Sequence, residues 1–170
     1  NIFICNGHYF SNINFSNLNQ SSGKQALSFD VVSSIVADKN NIYFGTEGGG
    51  ITILNKNTET TRFLSATKSV ELSGNSVKSM YLSEKGVLWI GTFSDGLSAY
   101  DVNSNQFITH TISPDLRKLL KESGVYVIKK GRKKDILWLG TFGKGLIRYD
   151  SSTKTFQIIG NDNYSDNFLT

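Results

Sequence analysis

Leu88-Trp89-Ile90-Gly91-Thr92 is followed by Phe93-Ser94-Asp95, then Gly96-Leu97, then Tyr100-Asp101. The string returns as Leu137-Trp138-Leu139-Gly140-Thr141, Phe142-Gly143-Lys144, Gly145-Leu146 and Tyr149-Asp150. An earlier copy reads Ile42-Tyr43-Phe44-Gly45-Thr46, Glu47-Gly48-Gly49, Gly50-Ile51 and Leu54-Asn55. Each is an apolar, aromatic, apolar run, then Gly-Thr, three loop residues, Gly and a second apolar run. The glycines stand at 45, 91 and 140, intervals of 46 and 49 residues. A self-similar period of that size marks a propeller or a solenoid.

Working outward from the string, each unit holds four strand candidates. In the first they are Val31 to Ala37, Asn41 to Gly45, Gly50 to Leu54 and Thr60 to Leu64. The second offers Val77 to Leu82, Val87 to Gly91, Gly96 to Tyr100 and Gln106 to Thr109. The third offers Val125 to Lys129, Ile136 to Gly140, Gly145 to Tyr149 and Thr155 to Ile159. Four β-rich runs per period, joined by hairpins, is the arithmetic of a propeller blade. The expected fold is therefore all-β, a β-propeller fragment of about three complete four-stranded antiparallel blades plus partial blades at both ends. The boundaries read 1–20 for a partial blade, 21–66, 67–112 and 113–160 for the blades, and 161–170 for the start of another. Asn1 to Cys5 matches Asn41 to Gly45, so the chain begins in mid-repeat and reads as a piece of a longer protein. Tyr9, Ile13 and Phe15 suit a next strand, and Asn17 to Lys24 a polar loop.

An entry segment precedes the units: Leu27-Ser28-Phe29-Asp30-Val31-Val32, Leu72-Ser73-Gly74-Asn75-Ser76-Val77, and more loosely Leu120 to Val125. Its Asp or Asn can accept from backbone amides, as such side chains do in turns. One insertion breaks the rhythm. Ser113-Pro114-Asp115-Leu116 supplies an N-cap, a proline at the first helical position and an acidic first turn. A short helix is predicted over 114–122, between the second and third blades.

The recurring positions resemble the two-component regulator propeller repeat, in the Trp89 string with Gly96-Leu97 and Tyr100-Asp101, and in the entry segment Leu72 to Val77. The likeness covers three units and the ragged ends. It departs at Ala37, Ser83 and Arg132, where the family pattern has Asp, and at Tyr43, which replaces Trp. The resemblance implies the periplasmic sensor region of a hybrid two-component histidine kinase of Bacteroidetes type, the extracytoplasmic part of an inner-membrane protein. It further implies a propeller responding to oligosaccharides or other nutrients in signal transduction.

Composition excludes several classes. The net charge of +4 is too mild for a nucleic-acid partner without a basic stripe. Lys129, Lys130, Arg132, Lys133 and Lys134 form a run without interleaved aromatics, and read as a solvated hairpin tip. One Cys and two His residues give neither a disulfide framework nor zinc spacing, so no metal and no cofactor is expected. No apolar run is long enough for this segment to contact a membrane as a span. Catalytic groups are absent from the reading, apart from the alternative of a glycan-active enzyme using Glu47 and Asp95. A protein-interaction scaffold is the other alternative. Trp89, Trp138 and Tyr43 are expected in the core between blades, and the glycines at 45, 91 and 140 where backbones approach closely.

Strand parity puts the loops between second and third strands on one face with the entry segments and the helix. These tripeptides vary on a repeated frame, which is how binding sites are commonly built. Candidate ligand-binding residues are therefore Glu47, Phe93, Asp95, Phe142 and Lys144. Expected partners are an oligosaccharide, the rest of a parent propeller and, for the isolated open arc, a second copy of the chain.

Overall fold

The computed structural model describes the backbone of 2–5 and 10–13, and residues 27–66 and 72–160 in full. The loop expected from Asn17 to Lys24, the strand residues Tyr9 and Phe15, and the unit opening after residue 160 lie outside them. Among the described residues the chain forms a two-stranded hairpin and three four-stranded sheets. Strands β1 (Ile2–Cys5) and β2 (Phe10–Ile13) pair antiparallel. Sheet one is β3 (Val32–Ala37), β4 (Asn41–Thr46), β5 (Gly50–Asn55) and β6 (Thr61–Leu64). Sheet two is β7 (Val77–Leu82), β8 (Val87–Thr92), β9 (Leu97–Asp101) and β10 (Gln106–Phe107). Sheet three is β11 (Val125–Lys130), β12 (Ile136–Thr141), β13 (Leu146–Asp150) and β14 (Thr155–Ile159). Every sheet is an antiparallel meander in chain order, and the first strands β3, β7 and β11 pack side by side. These are propeller blades, with the first strand innermost and the Gly-Thr strand second.

Each conserved-looking position of the internal repeat has a mechanical task. The threonine closes the loop that follows it. Thr46 Oγ1 donates to the Gly50 carbonyl at 2.9 Å and accepts from Gly49 N at 3.1 Å. Thr92 and Thr141 repeat this with Gly96 and Asp95, and with Gly145 and Lys144. The following glycine turns the chain through positive φ, +75° at Gly50 and +81° at Gly96, where a Cβ is disfavoured. The Asn or Asp ending the third strand starts the outer hairpin. Asp101 Oδ1 accepts from Asn103 N at 2.8 Å, Asp150 Oδ1 from Ser152 N at 3.0 Å, and Asn55 Oδ1 from Asn57 N at 2.9 Å. Four residues on, Glu59, Asn105 and Lys154 take left-handed φ to finish those turns.

Buried side chains run between the sheets. Tyr43, Ile51 and Ile53 of sheet one join Leu88, Ile90 and Tyr100 of sheet two; Trp89 and Ala99 join Leu137, Leu139, Ile147 and Tyr149 of sheet three. Trp89 is 3% exposed, edge-on to Tyr149 with ring centroids 6.1 Å apart. Trp138, expected in the core like Trp89, is only half-buried, because β12 lies in the last described sheet and no further described blade covers it.

The helix α1 (Pro114–Leu120) starts at Ser113, whose Oγ accepts from Leu116 N, and buries Leu116 and Leu120. Its approach differs from the sequence expectation: β10 ends at Phe107, and Thr109–Thr111 form a 3-10 turn instead of extending the strand. Tyr149 holds this turn, its hydroxyl donating to the Thr111 carbonyl at 2.7 Å and accepting from Ser113 N at 3.3 Å. Burial pushes that phenol's pKa up, so it stays a donor.

Candidate functional site

The tripeptide loops are clamped on one face. Each is tied to its own entry segment, through Glu47 N to the Val31 carbonyl, Phe93 N to Ser76 and Phe142 N to Gly124. The first two are also tied to the next entry, through Gly50 N to the Asn75 carbonyl and Gly96 N to Ser123. Asn75 Oδ1 in turn accepts from Ala66 N at 2.7 Å, the capping expected of the entry segment. The first two loop backbones are thus fixed from both sides and the third from its own entry segment, and their side chains project from this rim.

Three of the five candidate residues come together there. Phe93 and Phe142 are 51% and 70% exposed. Between them lies Tyr126, with centroids 6.0 Å from Phe93 and 5.8 Å from Phe142 and planes inclined by 27° and 16°. At the Phe93 end, Lys78 Nζ sits 5.3 Å from the Phe93 centroid and 5.8 Å from that of Tyr126. The same ammonium donates to both Glu47 carboxylate oxygens at 2.7 Å. Glu47, Lys78, Phe93, Tyr126 and Phe142 therefore make one continuous group drawn from all three blades.

Lys78 and Tyr126 are the residues that sequence reasoning missed. Both are the extra residue of a β-bulge, since register shifts between Val77 and Ser79 against β8, and between Val125 and Val127 against β12. Ser33 holds the same place in blade one. A bulge adds a residue without a cross-strand partner and re-aims its side chain. A signal existed: Val77 and Met80, and Val125 and Ile128, are buried at a spacing of three, where a regular strand would bury alternate residues.

Asp95 and Lys144 sit apart from the rings. Asp95 accepts from the Ser94 hydroxyl at 3.1 Å and lies against Gly74, where an added Cβ would come within 2.3 Å of its Oδ2. It borders an open cleft of about 550 Å³ with Ser73, Leu97, Ile112 and Arg117. Lys144 is half-buried at the third position of its loop. Glu47 and Asp95, the pair considered for hydrolysis, stand in separate surroundings, one on Lys78 and the other on Ser94.

The opposite face carries the charge run. Lys130 pairs with Glu84 of the neighbouring blade, and Lys85 with Asp135 at 2.7 Å. The Lys130 hydrogen bond holds the Glu84 carboxyl below its usual range. These cross-blade ion pairs engage part of the run in holding neighbouring hairpins together.

Among the described residues no group of three or more His, Cys, Asp or Glu side chains converges, and no helix is long and apolar enough to cross a membrane. Residues 71–94, the entry segment and first hairpin of blade two, match the family model described as two component regulator propeller. Histidine kinase P4 of Formosa agariphila is 37% identical over 121 residues, which is 71% of this chain and 9% of that protein. The chain therefore spans only a small part of that relative. The extracellular domain of a protein assigned as a hybrid two component system from B. thetaiotaomicron superposes with a TM-score of 0.58 at 25% identity, over 92% of this chain and 18% of that one. Another extracellular domain from the same organism, assigned to a one component system, gives 0.62 at 16% identity over 75% of this chain and 16% of that one, a likeness of fold. Blade two thus carries a two component regulator propeller repeat, and the string of residues 88–101, which overlaps the matched segment, recurs in the sheets on either side.

Proposed function

We propose that the chain is a ligand-sensing, non-catalytic segment of the extracytoplasmic, periplasmic propeller of a two-component sensor histidine kinase, responding to an oligosaccharide or another nutrient. The observation that carries this reading is the row of exposed Phe93, half-buried Tyr126 and exposed Phe142, with the Lys78 and Glu47 pair at its end. Aromatic faces bordered by a few placed polar groups are the usual make-up of a small-molecule site. The likeness to a histidine kinase and to extracellular domains of two component systems supports the receptor setting. Asp95 and Lys144 extend the same rim outward, as secondary contacts for a ligand longer than the row.

Hydrolysis by Glu47 and Asp95 is the weaker reading. A carboxylate with both oxygens on an ammonium is poorly placed to donate a proton to a leaving group. Titration of the isotopically labelled chain with a glycan panel tests the proposal. Amide shifts centred on Phe93, Tyr126 and Phe142, lost in Tyr126→Ala, are expected. Shifts confined to Lys129 to Lys134 would overturn it.

A further inference from the structure

The group at the blade one and two boundary has the make-up of a cation cage that is already filled. A carboxylate and two aromatic faces are what binds a ligand ammonium, through ion pairing and attraction to the ring quadrupole. Here the occupant is Lys78, 2.7 Å from each Glu47 oxygen and within 6 Å of two ring centroids. Its side chain is 20% exposed and that of Glu47 33%, so the pair sits partly sheltered beside a half-buried Tyr126 and a Phe93 ring that is open to solvent. The remaining charges of the three tripeptide loops, Asp95 and Lys144, are also of opposite sign, so these loops together with Lys78 carry no net charge.

We infer that this face selects uncharged saccharides, with Lys78 excluding amino sugars from the cage and Glu47 excluding acidic ones from Lys78. The inference rests on the saccharide reading given above. A ligand ammonium would have to displace Lys78, which is tethered and therefore present at high local concentration. A ligand carboxylate or sulfate would have to displace Glu47, or approach it against like charge. A neutral sugar needs neither. Its hydroxyls donate to the outward lone pairs of Glu47 and accept from the remaining proton of Lys78, while its C–H face lies on the rings.

The test uses matched neutral, amino and uronic tetrasaccharides of the gluco, galacto and manno series, titrated calorimetrically into the 170-residue chain. In any series that binds, the neutral member is expected to bind wild type about tenfold more tightly than either charged one, the size of one charged hydrogen bond. Glu47→Gln frees Lys78 and should raise affinity for the uronic member about tenfold. Lys78→Met keeps the stem on the rings, frees the cage, and should do the same for the amino member. Near-ultraviolet circular dichroism confirms that both variants keep the fold. A charged member binding wild type as tightly as the neutral one, or unchanged preferences in both variants, would overturn the charge selection alone. Silence of wild type and both variants toward every sugar would overturn the saccharide reading, and this inference with it.

Discussion

The glycine of the Gly-Thr string sets how closely neighbouring blades approach, and Gly91→Ala measures that closeness. A Cβ at position 91 would lie 2.3 Å from the Val125 carbonyl oxygen, 2.7 Å from Ser79 Oγ and 3.0 Å from Val125 Cβ. The nearest atom is backbone of β11 and already accepts from the Ser79 hydroxyl at 3.1 Å. It cannot rotate away, so the inner strand of blade three must shift. Overpacking of this kind costs about 1–3 kcal/mol, and a backbone obstacle puts the cost at the upper end. Against this, alanine reduces the freedom of the unfolded chain, worth about 0.4–1 kcal/mol. The expected net loss is about 2 kcal/mol.

The equivalent positions supply the control. At Gly45 the nearest atoms are side-chain carbons of Val77 and Met80, at 2.7 and 3.2 Å, which yield in part. About 1 kcal/mol is expected there. At Gly140 the nearest atom is Val127 Cβ at 3.2 Å, so the clash and the entropic gain should nearly cancel. Urea midpoints of the three variants should fall in the order Gly91, Gly45, Gly140, the first being least stable. Equal losses at Gly140 and Gly91, or an unchanged midpoint for Gly91→Ala, would refute the spacing argument.

Three further outcomes follow from the same contacts. Thr92→Val removes the side-chain bonds to the Gly96 carbonyl, which keeps its bond from Thr92 N, and from Asp95 N, which loses its acceptor; a loss of about 1–2 kcal/mol is expected in chemical denaturation. Trp89→Ala should cost about 3–5 kcal/mol and Trp138→Ala clearly less, since only the first ring is fully enclosed; comparing their midpoints checks the difference in burial. Hydrogen bonds from Asn103 N and the Ser152 side chain hold the Asp101 and Asp150 carboxyls below their ordinary pKa of 3.8. Their stabilisation is complete above that value and is lost as pH falls below it through the folded-state values. Asp101→Asn with Asp150→Asn should therefore flatten the fall of Tm on acidification below about pH 4.

The fold was legible because each blade states its rules locally. Gly-Thr, the positive-φ glycine and the Tyr-Asp or Leu-Asn ending recur at fixed offsets, and every one of them closes a turn or seals a blade boundary. The helix was legible for the same reason, since Ser113 and Pro114 act within one turn. What resisted reading depends on distant neighbours. The 3-10 turn after β10 exists because Tyr149, about forty residues on, captures the Thr111 carbonyl. The exposure of Trp138 against the burial of Trp89 depends on which blade stands beside each ring, although their strings are nearly identical.

The candidate site shows the same division at the scale of one residue. Glu47, Phe93 and Phe142 are visible in sequence because they open the variable loops of a repeated frame. Lys78 and Tyr126 are hidden because they lie inside strands, where alternation assigns a side chain to one face or the other. The bulge suspends that rule for a single residue. It lets Val77 and Met80, or Val125 and Ile128, remain in the core while the residue after the valine meets the rim. The repeat conserves the bulge but not its occupant, which is Ser33, Lys78 and then Tyr126. In blade one the serine is spent on structure, donating to the Gly45 and Val77 carbonyls at the blade boundary. In the next two blades the same geometric position carries an ammonium and a ring, and these complete the row that the loops begin. A run of similar blades thereby acquires a face whose chemistry changes from blade to blade without any change in its frame. Substituting Ser, Lys and Tyr among these three positions should alter binding on that face far more than stability, except at Ser33, where two hydrogen bonds would be lost.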